Sequence, residues 1–316
     1  MVKYISNKNQ KKLAIVMCTK NGAPFIYEQL LSIKNQSFQD YDLYISDNES
    51  SDSTINIINA FINEFQMKNI FLLEGCNKRF SYNFIWLLKE IKTTYHYYAF
   101  CDQDDVWHNH HLERAIKKIS LYKKTSPIMF CSATNLISSN GKQIGRSPKF
   151  NKNPNLRNAL VQSIAGGNTM VFNHQSCKLL KNIDIDKRFV PSHDWILYAL
   201  VSSCDGTILY SKNPSVDYRQ HNNNIIGSNK GFIASIKRMV LIMRGHWKYW
   251  IDANLKIILD EKSLSTRNNK LLNKIIEKKN SRFIFSRLKI IYKFGLYRQT
   301  IIGNISLYFM AILKKL

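Results

Sequence analysis

The run Tyr95-His96-Tyr97-Tyr98-Ala99-Phe100-Cys101-Asp102-Gln103-Asp104-Asp105-Val106-Trp107 decides how the rest of the chain is read. Tyr95 to Cys101 are aromatic and apolar in the manner of a buried strand, and three carboxylates then follow within four residues. Open α/β sheets bind their ligands at the carboxyl ends of such strands. Hard oxygen donors packed this closely suit Mg²⁺ or Mn²⁺, which in turn bridges the phosphates of a nucleotide. The competing reading is a solvated turn that caps the helix starting near Asn109.

Working upstream, the same unit recurs. Leu13 to Cys18 is a β-rich apolar run that ends in Thr19-Lys20-Asn21-Gly22 and gives way to helical spacing from Pro24 to about Lys34. Tyr41 to Ser46 is a second strand, Asp47 to Ser53 a turn, and Thr54 to Phe65 a helix. Asn69 to Leu73 is a third strand, followed by a helix over Tyr82 to Ile91. Strands separated by helices of this length predict a mostly parallel, doubly wound sheet. Downstream the pattern predicts a helix from about His110 to Lys123, a strand over Pro127 to Ser132 and a hairpin turn at Ser138-Ser139-Asn140-Gly141. Beyond them it predicts a mobile loop over Arg146 to Asn155, a strand over Asn168 to Phe172 and helices over Gln175 to Lys181 and Asp194 to Ser203. Strands near Thr207 to Tyr210 and Val216 to Arg219 complete this part. The catalytic-type domain is expected to occupy residues 1–227, with a basic helical tail over 228–316.

Composition bounds the function. The 316 residues suffice for one large α/β domain with an appendage. The cysteines Cys18, Cys76, Cys101, Cys131, Cys177 and Cys204 are scattered without Cys-x-x-Cys spacing, which favours a reducing compartment. Met1 to Lys12 has no apolar stretch of the secretion-signal kind, and no segment reaches the length of a spanning helix, so a cytoplasmic or peripheral protein is expected. The formal net charge of +24 calls for an anionic partner, whether nucleic acid, membrane face or small substrate. From Gly231 to Leu316, 18 Lys and Arg stand against 4 Asp and Glu, interleaved with large apolar residues. That pattern, strongest over Ala234 to Trp250, favours an anionic membrane surface over nucleic acid; a helix packed on the main domain is the alternative.

The usual phosphate signatures, Gly-x-x-x-x-Gly-Lys-Ser/Thr and Gly-x-Gly-x-x-Gly, are missing, as are His-Glu-x-x-His and Gly-x-Ser-x-Gly. Thr19 and Asp47, at adjacent strand ends, can still face a nucleotide, although Asp47 to Ser53 is equally good turn chemistry. His108, His110 and His111 read as a helix-start surface rather than a zinc site.

The ordered set Ile15-Val16-Met17-Cys18-Thr19-Lys20-Asn21-Gly22, Ile45-Ser46-Asp47-Asn48-Glu49-Ser50-Ser51-Asp52-Ser53-Thr54, Asp102-Gln103-Asp104-Asp105-Val106-Trp107, His193-Asp194-Trp195 and Tyr218-Arg219-Gln220-His221 resembles the family 2 glycosyltransferases. More narrowly it resembles their rhamnosyltransferase-like branch, which builds bacterial surface polysaccharides. The resemblance covers about residues 13 to 227. It implies a GT-A fold and a nucleoside diphosphate sugar donor, dTDP- or UDP-linked, with rhamnose the first guess. The implied donor contacts are Thr19, Asn21, Asp47, Asp102 and Arg219. The implied divalent-metal ligands are Asp102 and Asp104, with Asp105 a third carboxylate and His221 a further contact, and the implied catalytic base is Asp194. The acceptor it implies is a lipid-linked glycan at the cytoplasmic face of the inner membrane. The second-strand motif departs from the family's Asp-Asp-Gly-Ser, with Asn48 in the second place. Inverting transfer fits the inventory: a carboxylate deprotonates the acceptor hydroxyl, a cation offsets the leaving diphosphate, and no covalent intermediate is needed. A sugar nucleotidyltransferase and a non-catalytic basic polyanion-binding protein are the alternatives.

Overall fold

A computed structural model describes residues 11–221 and 245–316. The segment Ala234 to Trp250 therefore lies largely outside the described residues, as does the loop Asn222-Asn223-Asn224. The first half of the chain alternates strand and helix: β1 (Leu13–Thr19), α1 (Ile26–Lys34), β2 (Tyr41–Asp47), α2 (Thr54–Phe65), β3 (Ile70–Glu74), α3 (Phe80–Glu90), β4 (Tyr97–Cys101), β5 (Val106–Trp107) and α4 (His111–Ile119). It continues through β6 (Ile128–Ser132), β7 (Asn135–Ser138), β8 (Gln143–Arg146), α5 (Leu156–Ala159), a 3₁₀ turn at Gly167–Thr169, β9 (Val171–Asn173), α6 (His174–Lys181), α7 (His193–Ser203), β10 (Thr207–Ser211) and β11 (Val216–Gln220). Four helices close the chain: α8 (His246–Asp260), α9 (Thr266–Lys279), α10 (Ile284–Tyr292) and α11 (Ile301–Ile312).

The main sheet has the order β10-β6-β9-β4-β1-β2-β3. It is parallel except for β9, which runs antiparallel to both β4 and β6. Alternation along β1 divides the core. Ala14 and Val16 face one apolar cluster with α3, α6 and α7, whereas Leu13, Ile15 and Met17 face a second with α1, α2 and α4. Both faces are thus covered, which is why β1 and β4 read as near-continuous apolar runs.

A second sheet, β5-β11-β7-β8, was not foreseen. In it β11 pairs in parallel with β7 and antiparallel with β5, so the strand ending at Gln220 lies directly against the residues following the acidic cluster. The loop expected to be mobile, Arg146 to Asn155, is instead fastened at several points. Lys152 N–H donates to Gln299 Oε1 at 3.2 Å, Asn155 N–H to the Tyr198 hydroxyl at 3.0 Å, and the Tyr297 hydroxyl donates to the Asn153 carbonyl. Two of those partners come from the connection between α10 and α11 and the third from α7, none at a fixed offset from the loop in sequence.

Candidate active site

Register puts the first two candidates together. Thr19 and Asp47 are opposite one another in the parallel pair β1/β2, and the Thr19 hydroxyl donates to Asp47 Oδ1 at 2.8 Å. Ser50 fixes the same carboxylate with its hydroxyl, 2.6 Å from Oδ1, and its N–H, 2.8 Å from Oδ2. Asp47 is 5 % exposed, so these bonds hold it in one orientation at the strand end. Asn21 sits at φ 51°, in the left-handed region that Asn tolerates. Its N–H donates to Ser50 Oγ at 2.8 Å, and its Oδ1 accepts from Ser51 N–H at 2.8 Å. The turns after β1 and β2 are therefore one hydrogen-bonded unit. Gln103 ties in the turn after β4, with Oε1 accepting from Lys20 N–H at 2.9 Å and Nε2 donating to the Lys20 carbonyl at 3.0 Å.

The acidic turn divides its labour. Asp105 is fully buried; Oδ2 accepts from Asn168 Nδ2 at 2.5 Å and Oδ1 from Arg219 N–H at 2.9 Å. It anchors the turn, and burial, followed by Asp104 and Asp102, pushes its carboxyl well above the usual range. His221 Nε2 lies 2.7 Å from Asp104 Oδ2 while its ring stacks on Phe25 at 4.8 Å. Burial raises Asp102 to about 8, with the neighbouring carboxylates Asp104 and then Asp194 adding to the shift. Among the described residues no three His, Cys, Asp or Glu side chains converge as a ready metal cage. Two carboxylates with an imidazole alongside nevertheless fit a hard divalent ion that keeps coordination positions for phosphate and water.

Asp194 occupies the first turn of α7, where the helix dipole favours an anion. The Ser192 hydroxyl and Trp195 N–H, the latter at 2.6 Å, both donate to Asp194 Oδ1, and Gly167 N–H also donates to the carboxylate. Burial outweighs these bonds and leaves its pKa raised. That is the direction a general base needs, because a more basic carboxylate takes a proton more readily.

Arg219 is placed differently from expectation. It is 1 % exposed and its guanidinium turns inward: Nε donates to the Asp104 carbonyl at 2.9 Å, NH1 to the Ser139 carbonyl at 2.9 Å, and NH2 to Glu28 Oε2 at 2.5 Å. It braces the acidic turn. Lys78 pairs with Asp186 at 2.8 Å and Arg79 lies over the Phe189 ring, so neither basic side chain after β3 is directed by a carboxylate of the cluster. The three neighbouring histidines diverge: His108 reaches Asp217, His110 reaches Glu113, and His111 is buried against Ser215.

Two contributors were given no role in the site from the sequence, although His193 stands in the motif His193-Asp194-Trp195. His193 is buried, stacks on Phe84 at 3.9 Å and, among the described residues, leaves both ring nitrogens without hydrogen-bond partners. Gly167 lies so close to its Nε2 that a Cβ there has no room. The Gly166-Gly167 pair before β9 was the available signal for a close backbone approach.

The site thus sets carboxylates at the carboxyl edge of a mixed α/β sheet and a buried carboxylate on a helix start beside them. The family model for Glycosyl transferase family 2 matches residues 14–188, and the chain belongs to that family and is a glycosyltransferase. It is 30 % identical over 243 residues to the dTDP-rhamnosyl transferase RfbG of Shigella flexneri, across 73 % of this chain and 80 % of that protein. Among solved structures it is similar to S. aureus TarS 1-349 in complex with UDP, at a TM-score of 0.54 and 16 % identity over 90 % of this chain and 75 % of that one. The same protein in complex with UDP-GlcNAc matches at a TM-score of 0.54 and 15 % identity, over 95 % of this chain and 81 % of that one.

Proposed function

We propose that this glycosyltransferase is a metal-dependent, inverting enzyme that moves a sugar, rhamnose by its likeness to the dTDP-rhamnosyl transferase, from a dTDP- or UDP-sugar to a lipid-linked bacterial surface glycan. It works at the cytoplasmic face of the inner membrane. The observation that carries the reading is geometric: the ring of His193, beside Asp194, meets Phe100 of β4 edge-on at 4.6 Å, which brings the start of α7 next to the strand that leads into the acidic turn.

In this reading Asp47, held by Thr19 and Ser50, accepts from the base or ribose of the donor, and Asn21 shapes the turn on which the nucleotide lies. Asp102 and Asp104, with His221 beside them, would hold the cation, whose chemistry is to neutralise charge growing on the departing diphosphate. Arg219 acts on the donor indirectly, by fixing the carbonyl of Asp104. Asp194 accepts the proton of the acceptor hydroxyl as that oxygen attacks the anomeric carbon from the face opposite the diphosphate; the anomeric carbon–oxygen bond to the diphosphate breaks, the nucleoside diphosphate leaves, and the sugar is joined to the acceptor with inverted configuration. Gly167, Ser192 and Trp195 keep the carboxylate aimed during this step.

Calorimetric titration of dTDP and UDP, with and without Mn²⁺, into wild type and Asp104→Ala tests the donor half. Metal-dependent binding that vanishes in the variant is expected. Diphosphate binding indifferent both to metal and to Asp104 would remove the metal-dependent mechanism.

A further inference from the structure

The closing helices leave an apolar surface uncovered. On α11, Ile301 is 81 % and Ile302 80 % exposed, and Ile305 and Phe309 are also out in solvent, while Leu307, Met310 and Ala311 are buried. At 3.6 residues per turn these two groups form opposite faces of the helix, so one apolar face packs inward and an equally apolar one is left uncovered by the described residues. The start of α10 extends it, with Phe283 at 77 % and Phe285 at 80 % exposure. Buried Arg287 joins the two helices: its guanidinium donates to the carbonyls of Ser281 and Arg282 before α10 and to those of Ala311 and Ile312 at the end of α11. The start of α10, with Phe283 and Phe285, therefore meets the end of the helix that carries Ile301, Ile302, Ile305 and Phe309. Patches of this kind on a protein surface mark a docking site.

Charge selects the occupant. Between Ser281 and Leu316 the chain carries Arg282, Arg287, Lys289, Lys293, Arg298, Lys314 and Lys315 and no Asp or Glu. A second copy meeting this face would set like charges against one another, whereas a bilayer with anionic headgroups accepts the apolar side chains below and the ammonium and guanidinium groups at its surface. No described helix is long and apolar enough to cross a membrane, so insertion would be in the plane of the interface.

We propose that the face formed by Phe283, Phe285, Ile301, Ile302, Ile305 and Phe309 seats the enzyme on an anionic lipid surface. Its purpose rests on the lipid-linked acceptor reading, but the binding itself is independent of donor and acceptor. The test is cosedimentation of the full chain with vesicles of phosphatidylcholine containing phosphatidylglycerol, or of phosphatidylcholine alone. Two variants accompany wild type: the triple Phe285→Ser, Ile302→Ser, Phe309→Ser, and the double Lys289→Glu, Lys293→Glu. Wild type should bind the anionic vesicles and prefer them to neutral ones, with each variant weakened roughly tenfold or more. Unimpaired binding by the triple variant, or no binding by wild type, would overturn the proposal. So would a wild-type dimer in solution that the triple variant dissolves, because a second copy would then be the occupant. Manganese-dependent diphosphate binding by each variant reports whether the donor site survives. Loss of vesicle binding in wild type with donor binding intact defeats the docking surface alone, and the converse defeats the glycosyl-transfer mechanism alone.

Discussion

Asp194 and its two neighbours in space, His193 and Gly167, make separable contributions. Asp194→Asn keeps an oxygen for the Ser192 and Trp195 donors but cannot accept the acceptor's proton. The turnover rate should fall about 10²- to 10⁴-fold while donor affinity stays near wild type, measured by initial rates and by diphosphate titration. Gly167→Ala introduces a Cβ against His193 and displaces the N–H that holds Asp194, so it too should lower turnover more than donor affinity. His193 itself has a pH signature. Burial lowers its pKa from 6.5 to about 3, so between those values the unfolded chain binds a proton that the folded one refuses. The neutral ring is therefore compatible with full stability above about pH 6.5, and stability is lost as pH falls toward 3. His193→Leu removes this proton, so its stability relative to wild type should improve on acidification by up to about 1.4 kcal/mol per pH unit below 6.5. Denaturant unfolding at pH 7 and pH 5 measures the difference, and parallel curves would refute it.

At the scale of elements, the second sheet explains how an acidic turn with few local bonds is held. β11 lies beside β5, its Arg219 N–H bonds Asp105, and the Arg219 side chain reaches the Asp104 carbonyl and Glu28 on α1. Glu28 is half-exposed, so the ion pair contributes less than about 1 kcal/mol, and the buried carbonyls matter more. Arg219→Ala should cost about 2 to 4 kcal/mol by denaturant unfolding and weaken metal-dependent donor binding. A variant with wild-type stability would show that water replaces the guanidinium without loss. The legibility of the sequence divides along the same line. Parallel strands buried on both faces are apolar nearly throughout, so β1 and β4 were readable from local pattern, and the carboxylates that follow β4 came with it. The reversal of β9 and the pairing of β5 with β11 depend on partners far away in sequence; Glu28 and Arg219 are 191 positions apart. Asp102, Asp104 and Asp47 were visible as chemistry and Asp194 through the family resemblance, whereas the inward turn of Arg219 and the contact of Gly167 with His193 exist only once the strands are placed.

For the whole molecule, the decisive relation is between the sheet and the closing helices. Ile251, Leu255 and Ile258 of α8, Leu272 of α9, Ile290 of α10 and Leu307 of α11 belong to the same apolar cluster as Phe84, Tyr98 and Leu197. Trp195, next to Asp194, lies against Trp247 and Trp250, with ring centres 5.5 Å and 6.4 Å away. Polar contacts cross the same boundary: Asn268 Nδ2 donates to the Ser203 carbonyl at 2.9 Å, Arg157 Nε to the Phe294 carbonyl at 2.8 Å, and Asn158 Nδ2 to the Tyr297 carbonyl at 3.0 Å. Uncovering one large apolar side chain costs about 1.5 to 3 kcal/mol, and a whole domain has only about 5 to 15 kcal/mol of stability. Exposing Trp195 with even a few of its neighbours therefore approaches the full margin. A chain truncated after Gly227 should lose cooperative unfolding and donor binding together, even though the carboxylate residues of the site remain in it. Calorimetric melting and diphosphate titration of that fragment give the result. If it melts cooperatively and binds dTDP or UDP like the full chain, the helices serve only the proposed lipid-binding face; if both properties vanish, that proposed face is built on elements that also hold Asp194 in place.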